Sequence, residues 1–166
     1  MFQKAVELDI AEQFEQAAEL YELVIKEENP PVDAFLNLGV MYWRCTDLGF
    51  WAGYNLDLSY VKKAQIRCRE VLTEARERLD DIPEVVFWQH YFDYINYGGE
   101  YSLSVDKALD FVTQPNSTLV PYFIIYLDSE RSSEYLQKAK QLFEEVRLQK
   151  TTKNRYIISM LEGEFE

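Results

Sequence analysis

His90 is the one histidine of the chain, so any Ser-His-Asp or Cys-His arrangement would have to be built on it. Its neighbours Trp88, Gln89 and Tyr91 form no nucleophile motif, and a lone histidine in an aromatic helix reads as a packed, hydrogen-bonded residue rather than a base. Cys45 and Cys68 are the two cysteines; their spacing fits no metal site, and without clustered Cys and His a zinc centre is disfavoured. Cys68 falls on an apolar stripe, and both thiols read as reduced packing groups. The adjacent carboxylates Glu27-Glu28, Asp80-Asp81 and Glu144-Glu145 point apart if helical, so spacing does not make them acid-base pairs. Gly98-Gly99 lacks the lysine and downstream hydroxyl of a phosphate-cradling loop. This inventory predicts a non-enzymatic protein with no catalytic residue, cofactor or metal ligand.

Composition narrows the partners. At 166 residues, 48% hydrophobic and 15% aromatic, the chain suits a single domain, 1–166, with a continuous core. Seventeen basic residues against 29 acidic give a formal charge of -12. That balance disfavours nucleic acid and anionic membranes, because phosphate binding needs positive charge to displace counterions. It would attract a basic protein surface, or it serves solubility alone. Charge interrupts the opening Met-Phe-Gln-Lys-Ala-Val-Glu-Leu-Asp within a few residues, so no signal peptide is expected. The longest apolar run, Leu119 to Leu127, falls short of the ~20 residues a bilayer requires, and the cytoplasm is the expected location. Asn116-Ser117-Thr118 fits the glycosylation pattern but reads as a polar turn opening a helix.

Periodicity predicts an all-α chain. Helices are expected from about Phe2 to Glu12 and about Phe14 to Glu27, the second with a Phe14, Ala17, Tyr21, Val24 stripe and ended by Pro30 and Pro31. A third runs from about Val32 to Arg44. Between Thr46 and Leu58 lies an aromatic insertion, about 46–58, with Phe50, Trp51 and Tyr54 among the breakers Gly49, Gly53 and Asn55. Its rings form a contact site or fold back to plug the core. A long helix from about Leu58 to Asp80 has one clean stripe and a basic side of Lys62, Lys63, Arg67, Arg69, Arg76 and Arg78. Pro83 opens a helix to Tyr97 that is apolar on nearly every side, and therefore central or awaiting a partner. Gly98 and Gly99 end it. Ser104 caps a short helix through Val112. Thr118 to Asp128 carries enough Ile, Tyr and Phe to read as a strand as well, and the helical context decides for helix. Ser132 or Ser133 caps a helix to about Gln149. A last one spans about Lys153 to Leu161, with a fraying acidic end, Glu162 to Glu166.

The first quarter of the chain resembles the tetratricopeptide repeat family. Ala17, Tyr21, Val24 and Pro30 or Pro31 follow the order of the family's second helix, and Phe35, Leu38, Gly39 and Tyr42 match its first helix in register. Ala139, Phe143 and Val146 echo the second-helix spacing near the other end. At Trp88, bulky Tyr91 and Phe92 stand where Leu and Gly belong. Aligned to the family, Met1 falls inside a repeat, as in a shortened cap or a piece of a longer protein. The resemblance implies stacked antiparallel helix hairpins, a short right-handed solenoid that binds protein and requires no cofactor. It also places the ligand groove on first helices, at Asp33, Leu36, Asn37, Val40 and Arg44 and at Gln89, Asp93 and Asn96. Asn37 matches an asparagine with which some members hold a chaperone's C-terminal carboxylate. Phe2 and Val6, however, stand where that clamp needs Lys and Asn, so Asn37 reads as an ordinary repeat residue.

Two functions compete. One is a protein-interaction module gripping a peptide or protein partner through this groove, with Trp51 and Tyr54 of the insertion as further contacts. The other is an acidic inhibitor of immunity or antitoxin type that masks a basic toxin or enzyme.

Overall fold

The computed structural model describes residues 1–80, 82–98 and 103–165. Asp81 of the second carboxylate pair, the turn residue Gly99 and the terminal Glu166 lie outside the described residues. Among those described the chain is all-α: α1 (Phe2–Ile10), α2 (Phe14–Val24), α3 (Val32–Arg44), α4 (Leu48–Gly53), α5 (Leu58–Arg78), α6 (Pro83–Tyr97), α7 (Val105–Val112), α8 (Tyr122–Asp128), α9 (Ser133–Arg147) and α10 (Thr152–Phe165). The apolar stretch after Thr118 is helical in α8, not a strand. Among these helices none is long and apolar enough to cross a membrane.

Packing groups the chain into two compact units. Met1–Leu79 and Thr151–Lys153 form the first, Asp80–Lys150 and Asn154–Glu166 the second. In the first unit α1 packs on α2, α2 on α3, and α3 on α5. The turn after α1 is set by Glu12, whose φ of 61° reverses the chain. Gln13 N–H then donates to Leu8 O at 2.9 Å and Glu12 N–H to Asp9 O at 3.0 Å, closing a Schellman end two residues earlier than expected. The stripe of Phe14, Ala17, Tyr21 and Val24 is buried as its spacing requires, and α3 is buried from Ala34 through Trp43.

Gly39 marks where α3 meets α5. A Cβ there would lie 2.8 Å from Leu72 Cδ2 and 3.1 Å from Leu72 Cγ, so only a glycine allows this approach with Leu72 in place. Asp57 caps the start of α5 by accepting from Ser59 N–H at 2.8 Å. At the other end of α5, Arg78 donates to Ile25 O and Glu27 O, carbonyls left over beyond the end of α2. Arg67 and Arg78, expected on an open basic side of α5, are thus spent on contacts inside the unit.

The insertion is partly helical. Asp47 caps α4 through Gly49 N–H, and Phe50, 8% exposed, turns inward. Phe14 lies 5.2 Å from the Phe50 ring and 4.8 Å from that of Tyr54, and the Arg44 guanidinium sits 5.1 Å over Phe50. Phe50 therefore takes the plugging role, whereas Tyr54 is exposed and Trp51 half-buried.

In the second unit α7 packs on α6 and α8, and α9 on α8. Phe87, Trp88, Tyr91 and Phe92 of α6 are buried, and the first three ring with Phe123 and Tyr156. Ile95 and Tyr97, in the last turn of α6, are exposed. The helix is therefore core along most of its length and surface at its end. Buried Glu84 accepts from Trp88 Nε1 at 3.3 Å and Thr118 Oγ1 at 2.8 Å. The acidic end, expected to fray after Leu161, stays helical to Phe165. Its ring packs 5.5 Å from Tyr126 and 5.6 Å from Phe143, and Arg131 Nε donates to Glu164 Oε1 at 2.7 Å. Apolar anchoring outweighs the local charge.

Gly39→Leu should lower stability by about 1–3 kcal/mol through overpacking against Leu72, read as an earlier midpoint in urea. An unchanged midpoint would mean α3 and α5 do not meet there.

Candidate functional site

Asp9 sits one turn after Ala5 on the buried face of α1 and has no solvent exposure. A carboxylate in such a place is costly unless donors surround it. Thr152 supplies two, its N–H at 2.8 Å and its hydroxyl at 2.6 Å, both to Asp9 Oδ1. Tyr21 OH donates to Oδ2 at 3.3 Å. The Thr152 amide opens α10, where N–H groups lack acceptors within the helix, so the carboxylate also suits the positive end of that helix.

The chain of bonds runs on into α3. Asn37 Nδ2 donates to Tyr21 OH at 3.2 Å, and Thr151 Oγ1 donates to Asn37 Oδ1 at 3.3 Å. Lys153, buried itself, brings Nζ to 3.9 Å from Asp33 Oδ1. Burial first, and then the neighbouring Asp9 carboxylate, push the Tyr21 phenol far above its ordinary range, which keeps it a neutral donor. The α1 and α3 faces thus hold a three-residue polypeptide segment of the first unit by a main-chain amide, two hydroxyls and an ammonium.

A second polar cluster braces the same helices from another side. Glu22 accepts from Tyr42 OH at 3.1 Å and receives Arg67 through two bonds, Nε at 3.1 Å and Nη2 at 3.0 Å. Arg67 also donates to Glu74 at 2.6 Å and to Glu70 at 3.1 Å. Burial would raise the Glu22 carboxyl, but the hydrogen bonds and charge of Arg67 prevail and hold it below its ordinary 4.5. The two thiols are free and buried; burial pushes Cys45 up to about 12 and raises Cys68 as well. Neither has the exposed, electropositive setting of a reactive cysteine.

The residues expected to line the groove are distributed unevenly. Leu36 and Val40, expected to give an open groove its apolar lining, are interior at 1% and 0% exposure, and Asn37 at 3% is engaged by Thr151. Helix α3 is buried almost all round, from Ala34 through Trp43. Asp33 is exposed, while Arg44 is half-buried and pairs with Asp47 at 3.3 Å. Trp51 lies within α4 and Tyr54 directly follows it. Gln89 and Asp93, half-buried, and Asn96, exposed, lie on α6 in the second unit. His90 is exposed with its ring 5.6 Å from Phe111, and Glu27, Glu28, Glu144 and Glu145 are exposed. Among the described residues no group of three or more His, Cys, Asp or Glu could hold a metal ion.

Sequence reasoning missed Asp9, Thr151, Thr152 and Lys153. Asp9 had a signal, since a carboxylate four residues after Ala5 and three after Val6 interrupts an apolar face. The threonines had none, because their acceptors, Asn37 and Asp9, lie 114 and 143 residues away along the chain. No protein-family model, curated protein or solved structure matches the chain.

Two predictions follow from these clusters. Asp9→Ala should cost roughly 3 kcal/mol by stranding buried donors, and less in a Tyr21→Phe background; strictly additive losses in a double-mutant cycle would deny the network. Because Glu22 is held low, its stabilising effect is complete above its ordinary value and fades as pH falls through the lowered one. The stability deficit of Arg67→Met should therefore be largest near neutral pH and shrink below about pH 4. A deficit constant with pH would show that the pair is not coupled.

Proposed function

We propose that the chain is a non-enzymatic protein-interaction module of tetratricopeptide repeat type, a short right-handed solenoid that holds a peptide or protein partner on its first-helix faces. The hairpin of α1 and α2 and the close crossing of α3 and α5 at Gly39 support the repeat reading. One observation carries the functional reading: the α1 and α3 faces already grip a polypeptide segment, residues 151–153, through its backbone amide and side-chain donors. A surface whose acceptors are aimed at a peptide is built for polypeptide recognition. Asp33 and Tyr54 are exposed, and Arg44 and Trp51 are half-buried. The free buried thiols fit a reducing compartment such as the cytoplasm.

The charge of -12 favours a second reading, an acidic inhibitor that covers a basic protein. Ionic strength separates the two, because steering by net charge is screened by salt.

The full chain is used as bait with the variants Asp33→Lys and Tyr54→Ala alongside. A partner lost with either variant and retained in high salt is the expected result. Recovery unchanged by both substitutions removes the first reading, and capture abolished by salt alone moves the assignment to the second.

A further inference from the structure

The link from α4 to α5 runs along the acidic line of α2. Tyr54 OH donates to Glu12 Oε1 at 3.3 Å and Asp57 N–H to Glu15 Oε1 at 2.9 Å. Between this link, α2 and α5 lies a cavity of about 220 Å3, with Glu15, Glu19 and Asp57 as its acids, Lys63 as the one cation among the described residues of its lining, and Tyr42 and Tyr60 as aromatic walls. These carboxylates are not used up inside the fold. Glu19 has neither a hydrogen bond nor an ion pair among the described residues, and it stands four residues from Glu15, a spacing at which like charges on a helix repel. Arg67, the cation nearest along α5, reaches Glu22 instead. The Tyr60 hydroxyl is buried with no hydrogen-bond partner among the described residues, so a polar group of the lining residues is unspent as well. The acids do not converge as a metal site would require, and the cavity is below the roughly 300–1,000 Å3 of a small-molecule site. Its size and charge suit one long cationic side chain.

We propose that this cavity, with the exposed Tyr54 and Leu58 beside it, is a docking site for a basic segment of a protein partner, one lysine or arginine side chain entering between Glu15, Glu19 and Asp57. The inference rests on the peptide-binding reading above and supplies the chemistry of the partner. Bonds within the fold take Glu15 Oε1 and Asp57 Oδ1, which leaves the second oxygen of each, and both of Glu19, to meet an ammonium or guanidinium. The aliphatic stem of the side chain packs on the Tyr42 and Tyr60 rings, whose centroids lie 6.1 Å apart, with its charge toward their faces. Tyr54, 42% exposed, and Leu58, 58% exposed, offer apolar contact to the residues that flank the cation. A free diamine or an inorganic cation would leave that contact unused. The charge of -12 draws a basic segment in, and the cavity fixes where it lands.

The probes are Nα-acetyl-lysine methylamide and its arginine counterpart, titrated into the full chain and followed by the amide resonances of Ser59, Tyr60 and Lys63, with Nα-acetyl-norleucine methylamide as the uncharged control. The cationic probes should give saturable shifts there and the norleucine probe none. Affinity should fall about fivefold in the double variant Glu15→Gln, Glu19→Gln, and stay within about twofold in Glu27→Gln, Glu28→Gln, which loses the same charge elsewhere on the first unit. Lys63→Ala, which removes a like charge from the lining, should bind about twofold more tightly. Equal weakening in the two double variants reduces the binding to bulk charge and overturns the proposal. So does an equal response to norleucine, weaker binding to Lys63→Ala, or no saturable shift in the folded chain. The bait experiment keeps the two readings apart. A partner lost with Asp33→Lys or Tyr54→Ala but retained by Glu15→Gln, Glu19→Gln leaves the peptide-binding module standing and removes the cavity from it. Saturable probe binding, with every captured partner indifferent to Asp33→Lys and Tyr54→Ala, removes that module and leaves the cavity as a cation site.

Discussion

A carboxylate without solvent exposure governs the first unit. Asp9 can stay buried only while donors reach both of its oxygens, and they come from Tyr21 on α2 and from Thr152, 143 residues further along. Tyr21 in turn accepts a hydrogen bond from Asn37 on α3, whose side-chain carbonyl accepts from Thr151. Three helices and a distant segment are therefore fixed by one requirement, that no polar group in the cluster be left alone. Hydrophobic burial of Phe14, Ala17 and Val24 supplies most of the cohesion, but it is not directional. The polar chain picks out one register among the arrangements that grease alone would tolerate.

The same division of labour recurs at Glu22. Tyr42 and Arg67 meet its carboxylate from α3 and α5, the helices that touch across Gly39 and Leu72. A tight crossing brings the backbones together, and an ion pair with a fixed fork geometry sets how they are rotated. In the second unit Glu84 plays a comparable part between Trp88 and Thr118, beside a core made mostly of rings. Each unit is thus organised by a few satisfied acids within aromatic and aliphatic packing.

Binding residues have to be judged by access as well as by helix position. Leu36 and Val40, expected to line a groove, are both interior, while Asp33 at the start of the same helix is exposed. The insertion shows a similar split within six residues: Phe50 completes the core against Phe14 and leaves Tyr54 at the surface. Arg67 and Arg78, charged and on a helix with a solvated side, are nonetheless drawn in by Glu22 and by the carbonyls after α2.

Much of this was legible in the residues. The all-α class, the α2 stripe, the stops at Pro30 and Pro31, the cap at Ser104 and a cap at Ser132 or Ser133 follow from periodicity and backbone chemistry, which act within a few residues. Helix ends were harder: Glu12 in a left-handed conformation stops α1 early, and Phe165, anchored by Tyr126 and Phe143, carries α10 past its expected end. The division into two units and the seating of Thr151, Thr152 and Lys153 against Asp9, Asn37 and Asp33 were decided by tertiary structure alone. A local pattern states which face of a helix is apolar; which distant donor satisfies a buried acceptor depends on where the folded chain returns, and nothing in the neighbourhood of Asp9 encodes that.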